Sequence, residues 1–187
     1  MSARVDVVVE GYVGDRVGSS VTLLRDGDTT AIVDPGMVAS RASILDPLAA
    51  LGVEPGDVTD VLISHHHPDH TINIALFPRA KVHDFASTYV DDLWLDHDED
   101  DFVLSPSITL SPTPGHTAED ASTLVTSESG LVVLTHLWWK ADGPADDPYA
   151  PSREQLREQR ERILALGPSL IIPGHGSPFV PGADTPR

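Results

Sequence analysis

The segment that most constrains this chain is Ser64–His70, with the sequence SHHHPDH. It places four histidines and one aspartate within six consecutive residues, directly after the apolar run Val61–Ile63. Such a run predicts a buried strand, and its end delivers the polar residues into a loop at the edge of a sheet. Because alternate residues of an extended chain point the same way, His65 and His67 are expected to share one direction and His66 to point away.

This segment predicts a metal site with nitrogen and oxygen donors, since the chain contains no cysteine. Neutral imidazole and carboxylate suit Zn, Fe, Mn or Ni better than soft copper. Asp69 and His70 follow on the turn, close enough to face a second ion beside the first. The alternative is a solvated polar loop or a histidine-rich artefact, but purification tags lie at termini and lack an interleaved aspartate.

Length and charge narrow the classes of protein further. The 187 residues are 40% hydrophobic, which predicts a single domain over 1–187 with its core at about 5–180 and a loose tail over 181–187. The net charge is −17, from 29 acidic and 12 basic residues. A field of that sign repels phosphate backbones, so no nucleic-acid partner is expected. The sequence shows no apolar run long enough to span a membrane and no signal segment, so we expect a soluble, cytoplasmic protein. We expect a small-molecule substrate as its partner, and a homodimer is possible.

The hydrophobic pattern predicts mostly short strands with two longer helices. Strands are predicted over 5–9, 20–24, 30–33, 58–63, 81–85, 102–104, 108–110, 121–126, 131–136 and 169–172. Helices are predicted over 40–51 and 152–166, capped by Ser40 and Ser152, with a short helix over 72–77. Pro47 predicts a kink or an early stop in the first of them. The stretches 91–101 and 142–151 are predicted as an acidic irregular loop and a mobile loop.

Four separate segments end a β-run with histidine: 65–70, His116, His136 and His175. Two of them carry the sequence Pro-Gly-His, in which glycine allows the backbone to approach a site closely. This recurrence predicts a shared centre, in a sandwich of two sheets covered by outer helices. His83 lies within a predicted strand and His97 within the acidic loop, so we interpret the first as structural and the second as solvated.

Two further features allow two interpretations each. Asp34 in Asp34-Pro35-Gly36 is either an ordinary turn former or a support for the metal loop, the segment Ser64–His70. Trp138 and Trp139 directly follow His136, and they form either the wall of a pocket or part of the core.

In these motifs the chain resembles the metallo-β-lactamase fold superfamily. The family signature HxHxDH is matched by His65, His67, Asp69 and His70, and the two Pro-Gly-His turns match its later ligand turns. The segment Val33–Gly36 is similar to the Val-Asp-x-Gly segment near the start of family members. Within the superfamily, the chain most resembles compact proteins similar to metallo-β-lactamase domain-containing protein 1. The resemblance covers about residues 5–180 and implies an α/β (α+β) fold, the four-layer αββα sandwich.

The resemblance also implies a ligand set and a chemistry. One ion is expected on His65, His67 and His116, and a second on Asp69, His70 and His175. Zinc is the expected metal, with one ion bound tightly and a second left open, and Fe and Mn are alternatives. A metal-activated water is the expected nucleophile, with Asp69 and His136 as the candidate catalytic residues.

One position departs from the family pattern. Where the family has an aspartate that bridges two metals, this chain has His136, after Thr135. An imidazole nitrogen binds one metal and does not bridge as a carboxylate does, so His136 is expected to join one of the two ligand sets.

The leading hypothesis is a metal-dependent hydrolase of a small ester, thioester or lactone. One alternative is a phosphodiesterase or ribonuclease, because the subgroup that the chain most resembles includes a member assigned to RNA processing. Another is a non-hydrolytic, iron-binding oxygenase, because several neutral nitrogens around one ion suit Fe(II). The fold alone does not choose among them.

Overall fold

The computed structural model describes residues 2–97 and 101–187. Its strands are β1 (Arg4–Val9), β2 (Tyr12–Val13), β3 (Val17–Gly18), β4 (Val21–Asp26), β5 (Thr29–Val33), β6 (Asp60–Leu62), β7 (Lys81–His83), β8 (Ser87–Val90), β9 (Leu93–Asp96), β10 (Phe102–Ser105), β11 (Ile108–Pro112), β12 (Ala121–Ser127), β13 (Gly130–Thr135) and β14 (Leu170–Pro173). The helices are α1 (Ala42–Ala50), α2 (Pro68–Thr71) and α3 (Arg153–Ala165), with single 3₁₀ turns at Pro55–Asp57 and Ile74–Leu76. None of the helices in the described ranges is long and apolar enough to cross a membrane.

The strands form two large sheets and one small hairpin. The first sheet has the order β1-β4-β5-β6-β7-β8-β9, and the second has the order β10-β11-β12-β13-β14. Most neighbours are antiparallel, but β5, β6 and β7 run parallel to one another, as do β13 and β14. The parallel pairs matter for the site, because the carboxyl ends of parallel strands meet at one edge of a sheet.

Aliphatic side chains of both sheets form the central core. Leu24, Val33 and Leu62 of the first sheet pack in one cluster with Leu110 and Leu134 of the second. Few aromatic residues take part, as expected for a chain that is only 5% aromatic. This cluster holds the two sheets face to face.

Each outer face is covered by a helix. Ile44 and Leu48 of α1 pack on the first sheet, and Leu156 and Ile163 of α3 pack on the second. Both helices follow the expected apolar spacing, and Ser152 caps α3 by accepting a hydrogen bond from the Gln155 backbone N at 3.2 Å. The predicted four-layer αββα sandwich is confirmed.

Several local predictions were wrong. The residue at the N-cap of α1 is Arg41 rather than Ser40. The helix does not stop early at Pro47 but continues to Ala50, because burial of Leu48 in the core stabilises its last turn. The region predicted as an irregular loop over 91–101 contains β9, whose residues are all exposed at the edge of the sheet; residues 98–100 lie outside the described ranges. The short hairpin of β2 and β3 had no clear pattern in the sequence.

The tail also differs from the prediction. Part of the segment from 181 onward contacts the rest of the chain instead of forming a loose tail. The buried indole Nε1 of Trp138 donates a hydrogen bond to the carbonyl O of Pro186 at 2.9 Å, and Thr185 is buried.

Candidate metal centre

Parallel strand pairs in the two sheets bring the candidate residues to one edge of the sandwich. Val33 at the end of β5 lies beside Leu62 of β6, which places Asp34 next to the loop that begins at Ser64. In the second sheet, Thr135 of β13 lies beside Pro173 of β14. The two residues that follow these strand ends, His136 and His175, therefore arrive together.

The first ligand group contains His65, His116 and His136, whose candidate ligand atoms all lie within 4.8 Å of one another. His67 joins them, because its Nδ1 lies 2.9 Å from the Nε2 of His65 and 3.2 Å from the Nε2 of His116. The expected set of His65, His67 and His116 is therefore assembled in space.

The second ligand group contains His70, His136 and His175, again within 4.8 Å of one another. The carboxylate of Asp69 borders this group, with its Oδ2 at 3.5 Å from the Nε2 of His70 and 3.4 Å from the Nε2 of His175. All seven residues predicted as ligands therefore lie in one cluster.

The remaining histidines lie elsewhere, as predicted. His66 turns away from the cluster and contacts the Oδ2 of Asp84 at 3.0 Å. His83 is buried between Asp60 and Thr88, each at 2.8 Å from one of its ring nitrogens. His97 also contacts the Thr88 hydroxyl, and its ring stacks on Phe102. His97 is thus packed against the sheet rather than solvated.

The cluster has the properties of a metal-binding site. Among the described residues, the Nε2 of His70 and the Nδ1 of His136 are buried and have no hydrogen-bond partner. Buried polar atoms are nearly always paired, so unpaired nitrogens in the middle of a histidine cluster indicate a ligand for them. The donor set, imidazole nitrogens with one carboxylate, suits zinc or iron. These residues therefore fit the metal that the sequence predicts.

Electrostatics favours the form of histidine that binds metals. Burial, together with the neighbouring histidines, lowers the pKa of His65 and of His136 well below the ordinary value for imidazole. Burial also lowers the pKa of His67 and His175. These side chains are neutral at physiological pH, so no proton has to leave before a nitrogen lone pair is offered to a metal.

Asp34 supports the metal loop from behind. Its Oδ2 lies 2.8 Å from the Nδ1 of His70, and its Oδ1 accepts a hydrogen bond from the Ser64 backbone N at 2.7 Å. The Nδ1 of His70 is thereby engaged and its Nε2 faces the cluster. Of the two interpretations of Asp34, this geometry favours the supporting role.

Gly36 explains the rest of the Asp34-Pro35-Gly36 turn. A Cβ at Gly36 would lie 1.6 Å from the carbonyl O of Asp69, so only glycine lets the two loops touch. The Met37 backbone N donates to that same carbonyl at 3.0 Å. The turn after β5 is thus tied directly to the metal loop.

Asp147 is a site residue that the sequence did not indicate. It is buried, its Oδ2 lies 2.7 Å from the Nδ1 of His116, and the Nε1 of Trp139 donates to the same oxygen at 2.7 Å. Burial opposes ionisation of this carboxyl, but the hydrogen bonds from His116, Tyr149 and Trp139 hold its pKa below the ordinary value. It lies in the stretch predicted only as a mobile loop.

Arg160 of α3 holds part of that same loop. Its guanidinium donates hydrogen bonds to the carbonyl oxygens of Leu137, Ala145 and Pro144, at 2.8, 3.2 and 2.7 Å. The side chain is completely buried. By fixing the backbone at 137 and 144–145, Arg160 helps to place His136 and Asp147.

A cavity of about 430 Å³ opens beside the cluster. Its polar floor comprises His67, Asp69, His116, His136 and His175. Its walls include Val13 and Val17 of the β2–β3 hairpin. Trp139 and Tyr149, both from the segment between β13 and α3, also line it. Trp139 therefore forms a wall of the cavity, whereas Trp138 is part of the core.

The comparisons with known proteins agree with this geometry. The sequence profile of the metallo-beta-lactamase superfamily matches residues 14–86. Metallo-beta-lactamase domain-containing protein 1 of Xenopus laevis is 35% identical over 189 aligned positions, which span 94% of this chain and 80% of the frog protein. The chain belongs to the metallo-β-lactamase superfamily. It spans only 62–65% of the mouse, rat and human proteins of the same name.

Solved structures of the metallo-β-lactamase superfamily share the fold. A metallo-beta-lactamase-type protein from Thermotoga maritima aligns with a TM-score of 0.72 and 23% identity, over 97% of this chain and 100% of the other. An N-acyl homoserine lactone hydrolase, with its product bound at the catalytic metal centre, aligns with a TM-score of 0.68 and 18% identity, over 93% and 92%. At these identities the likeness establishes the fold, and the substrate has to be argued from the site.

Proposed function

We propose that this chain is a metal-dependent hydrolase that acts on a small, uncharged ester, thioester or lactone. The observation that carries this proposal is the lining of the cavity. A floor of histidines and one carboxylate meets walls of valine, tryptophan and tyrosine, and the described residues that line it include no arginine or lysine. Such a pocket suits an acyl compound with an apolar part, whereas a phosphate or free carboxylate on the substrate would have only the metal, and no cationic side chain, as its partner.

Each wall has a task in this proposal. The rings of Trp139 and Tyr149 are stacked with their centroids 6.0 Å apart, and both line the cavity, where they offer aromatic contact for the apolar part of the substrate. Val13 and Val17 also line the cavity. Contact with these apolar side chains would hold the substrate carbonyl over the polar floor.

The residues of the cluster would divide into metal ligands and one proton acceptor. His65, His67 and His116 would hold one ion, and His70 and His175 would face a second. A zinc ion bound there would supply Lewis acidity toward the substrate carbonyl and toward a water molecule. Asp69 is the carboxylate at the floor of the cavity, and it accepts the proton that the attacking water loses.

A substrate panel tests the proposal. Protein reconstituted with one equivalent of zinc is assayed against p-nitrophenyl esters of increasing chain length, an acyl thioester, an acylated lactone and bis-p-nitrophenyl phosphate. We expect hydrolysis of the neutral acyl substrates and little or none of the phosphodiester. A preference for the phosphodiester would contradict the proposal, because it would require recognition of an anion in a pocket without a cationic side chain.

A change in the wall separates substrate binding from chemistry. Trp139→Ala removes one of the stacked rings and should raise KM for long-chain esters more than it lowers kcat. Trp94→Ala is the matched control, because Trp94 is exposed on β9 and lies outside the cavity. Equal effects of the two substitutions would show that Trp139 does not contact the substrate.

The metal itself is tested by analysis of protein purified without added metal. We propose zinc, since a nitrogen-rich set with one carboxylate is common in catalytic zinc sites. Iron found in place of zinc, with no hydrolysis of any acyl substrate, would instead support the oxygenase alternative.

A further inference from the structure

Within the described part of the chain, His136 is the one residue that belongs to both ligand groups. Its ring centroid lies 4.1 Å from that of His116 and 4.6 Å from that of His65 in the first group. In the second group, it lies 4.7 Å from His70 and 4.9 Å from His175. The ring therefore stands between the two groups.

The backbone at Gly174 helps to hold the ring of His136 in that position. A Cβ at Gly174 would lie 2.2 Å from the Cδ2 of His136, so the imidazole packs directly on the backbone of the turn that carries His175. The side chain is almost completely buried. Close packing and burial therefore hold the ring of His136 between the two groups.

The two ring nitrogens of His136 are in different environments. The Nε2 lies 3.0 Å from the Nε2 of His175, whereas the Nδ1 is buried without a hydrogen-bond partner. A neutral imidazole has one nitrogen with a free lone pair, because the other carries the proton. His136 can therefore ligate one metal at a time, whichever of its nitrogens is deprotonated.

We infer that the two ligand groups compete for His136, so that the chain binds one divalent metal tightly and a second only weakly. This inference rests on the metal-binding part of the proposed function and adds a stoichiometry to it. A second ion would meet a ligand group without the lone pair of His136 and would also be repelled by the first ion.

The test is a metal titration of the metal-free protein, followed by native mass spectrometry and the visible spectrum of bound Co²⁺. We expect one metal per chain at one equivalent, and a second dissociation constant weaker by about tenfold or more, the usual range of coupling between sites. His136→Asp replaces the ring with a carboxylate whose two oxygens can contact two ions at once. In this variant the gap between the two dissociation constants should shrink, and spin coupling should appear with two equivalents of Co²⁺.

Two further variants keep the inference open to refutation if His136→Asp fails to fold. Gly174→Ala pushes the His136 ring away without replacing any of the candidate ligand residues, so it should weaken the tight metal by about tenfold or more. His83→Gln is the matched control, because His83 is a buried histidine outside both groups, and it should leave both constants unchanged.

The outcomes separate this inference from the proposed function. Two equally tight metals in the unmodified protein would overturn the inference and leave the hydrolase proposal standing. A Gly174→Ala variant with the metal affinities of the wild type would also overturn it, as would a folded His136→Asp variant with an unchanged gap. Failure of the unmodified protein to bind any divalent metal would overturn both.

Discussion

The carboxylate of Asp147 lies 2.7 Å from the Nδ1 of His116, although the two residues are 31 positions apart in the chain. A carboxylate at this distance accepts a hydrogen bond from the Nδ1–H of the imidazole, so that the Nε2 of His116, without a proton, is the nitrogen that faces the cluster. Asp147 is therefore a positioning residue for the proposed metal ligand His116, and it does not line the cavity itself.

Asp147→Asn is expected to weaken zinc binding by about 10- to 100-fold, the range typical for loss of a partner behind a metal-binding histidine. The amide has no negative charge and does not fix which nitrogen of His116 carries the proton. The measurement is competition for zinc with a chromophoric chelator. Asp142→Asn, on the same loop but with an 80% exposed side chain, should bind zinc like the wild type. Equal affinity in all three proteins would contradict the assigned role of Asp147.

His116→Ala should reduce both the metal content and the rate of hydrolysis, because it removes a ligand and not only the support of one. We expect the loss of zinc affinity to exceed the about 10- to 100-fold expected for a supporting residue. His97→Ala is the control, since His97 contacts Thr88 and Phe102 and belongs to neither ligand group. Equal losses at the two positions would refute the ligand assignment.

The sequence predicted the site residues that lie close together in the chain, next to a recognisable apolar strand. His65, His67, Asp69 and His70 lie in one loop directly after an apolar strand, so their convergence required no knowledge of the tertiary fold. Asp147 was missed because it contacts His116 only through the folded loop between β13 and α3, and no periodic pattern marks its position. Its burial depends on Arg160 and Trp139, two residues that sequence spacing does not connect to it.

In the fold, too, the elements with a local apolar pattern were predicted and those without one were missed. The two sheets and the two outer helices follow from apolar runs, whereas β9 was missed because its residues are exposed and lie in an acidic stretch that looks like a solvated loop. Pro47 was expected to kink α1 or to end it early; the helix does not end there, because the packing of Ile44 and Leu48 on the first sheet outweighs the lost backbone hydrogen bond.

The stability of the metal-free protein should fall as the pH drops below about 6.5. Burial beside other histidines lowers the pKa of His65 and His136 from the ordinary value of 6.5, so below that pH the unfolded chain binds protons that the folded chain excludes. Each such group reduces the free energy of unfolding by about 1.4 kcal/mol per pH unit. Asp120 opposes this trend, because burial raises its pKa to about 6 and it takes up a proton in the folded state, but one carboxyl does not offset two imidazoles.

Urea unfolding in the presence of a chelator, at pH 7.5, 6.5 and 5.5, measures this dependence. We expect similar stability at the two higher values and a clear loss at pH 5.5. A protein that is equally or more stable at pH 5.5 would show that these histidines are protonated in the folded state, which would be incompatible with their role as metal ligands.

Hydrolysis should depend on the bound metal and decline at acid pH. Protons compete with the metal for the ligand nitrogens, so affinity falls as the histidines become protonated. Prolonged dialysis against a chelator should abolish hydrolysis of the acyl substrate, and one equivalent of zinc should restore it. The far-UV circular dichroism of the dialysed protein serves as the control for folding. Activity that survives with no detectable metal would refute the mechanism.

The charge of the chain leads to a last prediction, about nucleic acids. Binding through the phosphate backbone needs a basic stripe, and 12 lysines and arginines among 29 acidic residues do not supply one. Two of these cationic side chains are also engaged elsewhere: Arg160 donates hydrogen bonds to backbone carbonyls, and Arg25 pairs with Asp6 at 2.9 Å. We therefore expect no appreciable binding of long RNA at physiological salt in a filter-binding assay with the zinc-loaded protein. Tight binding that weakens steeply with added salt would reverse the order of the two hydrolytic hypotheses and favour a phosphodiesterase.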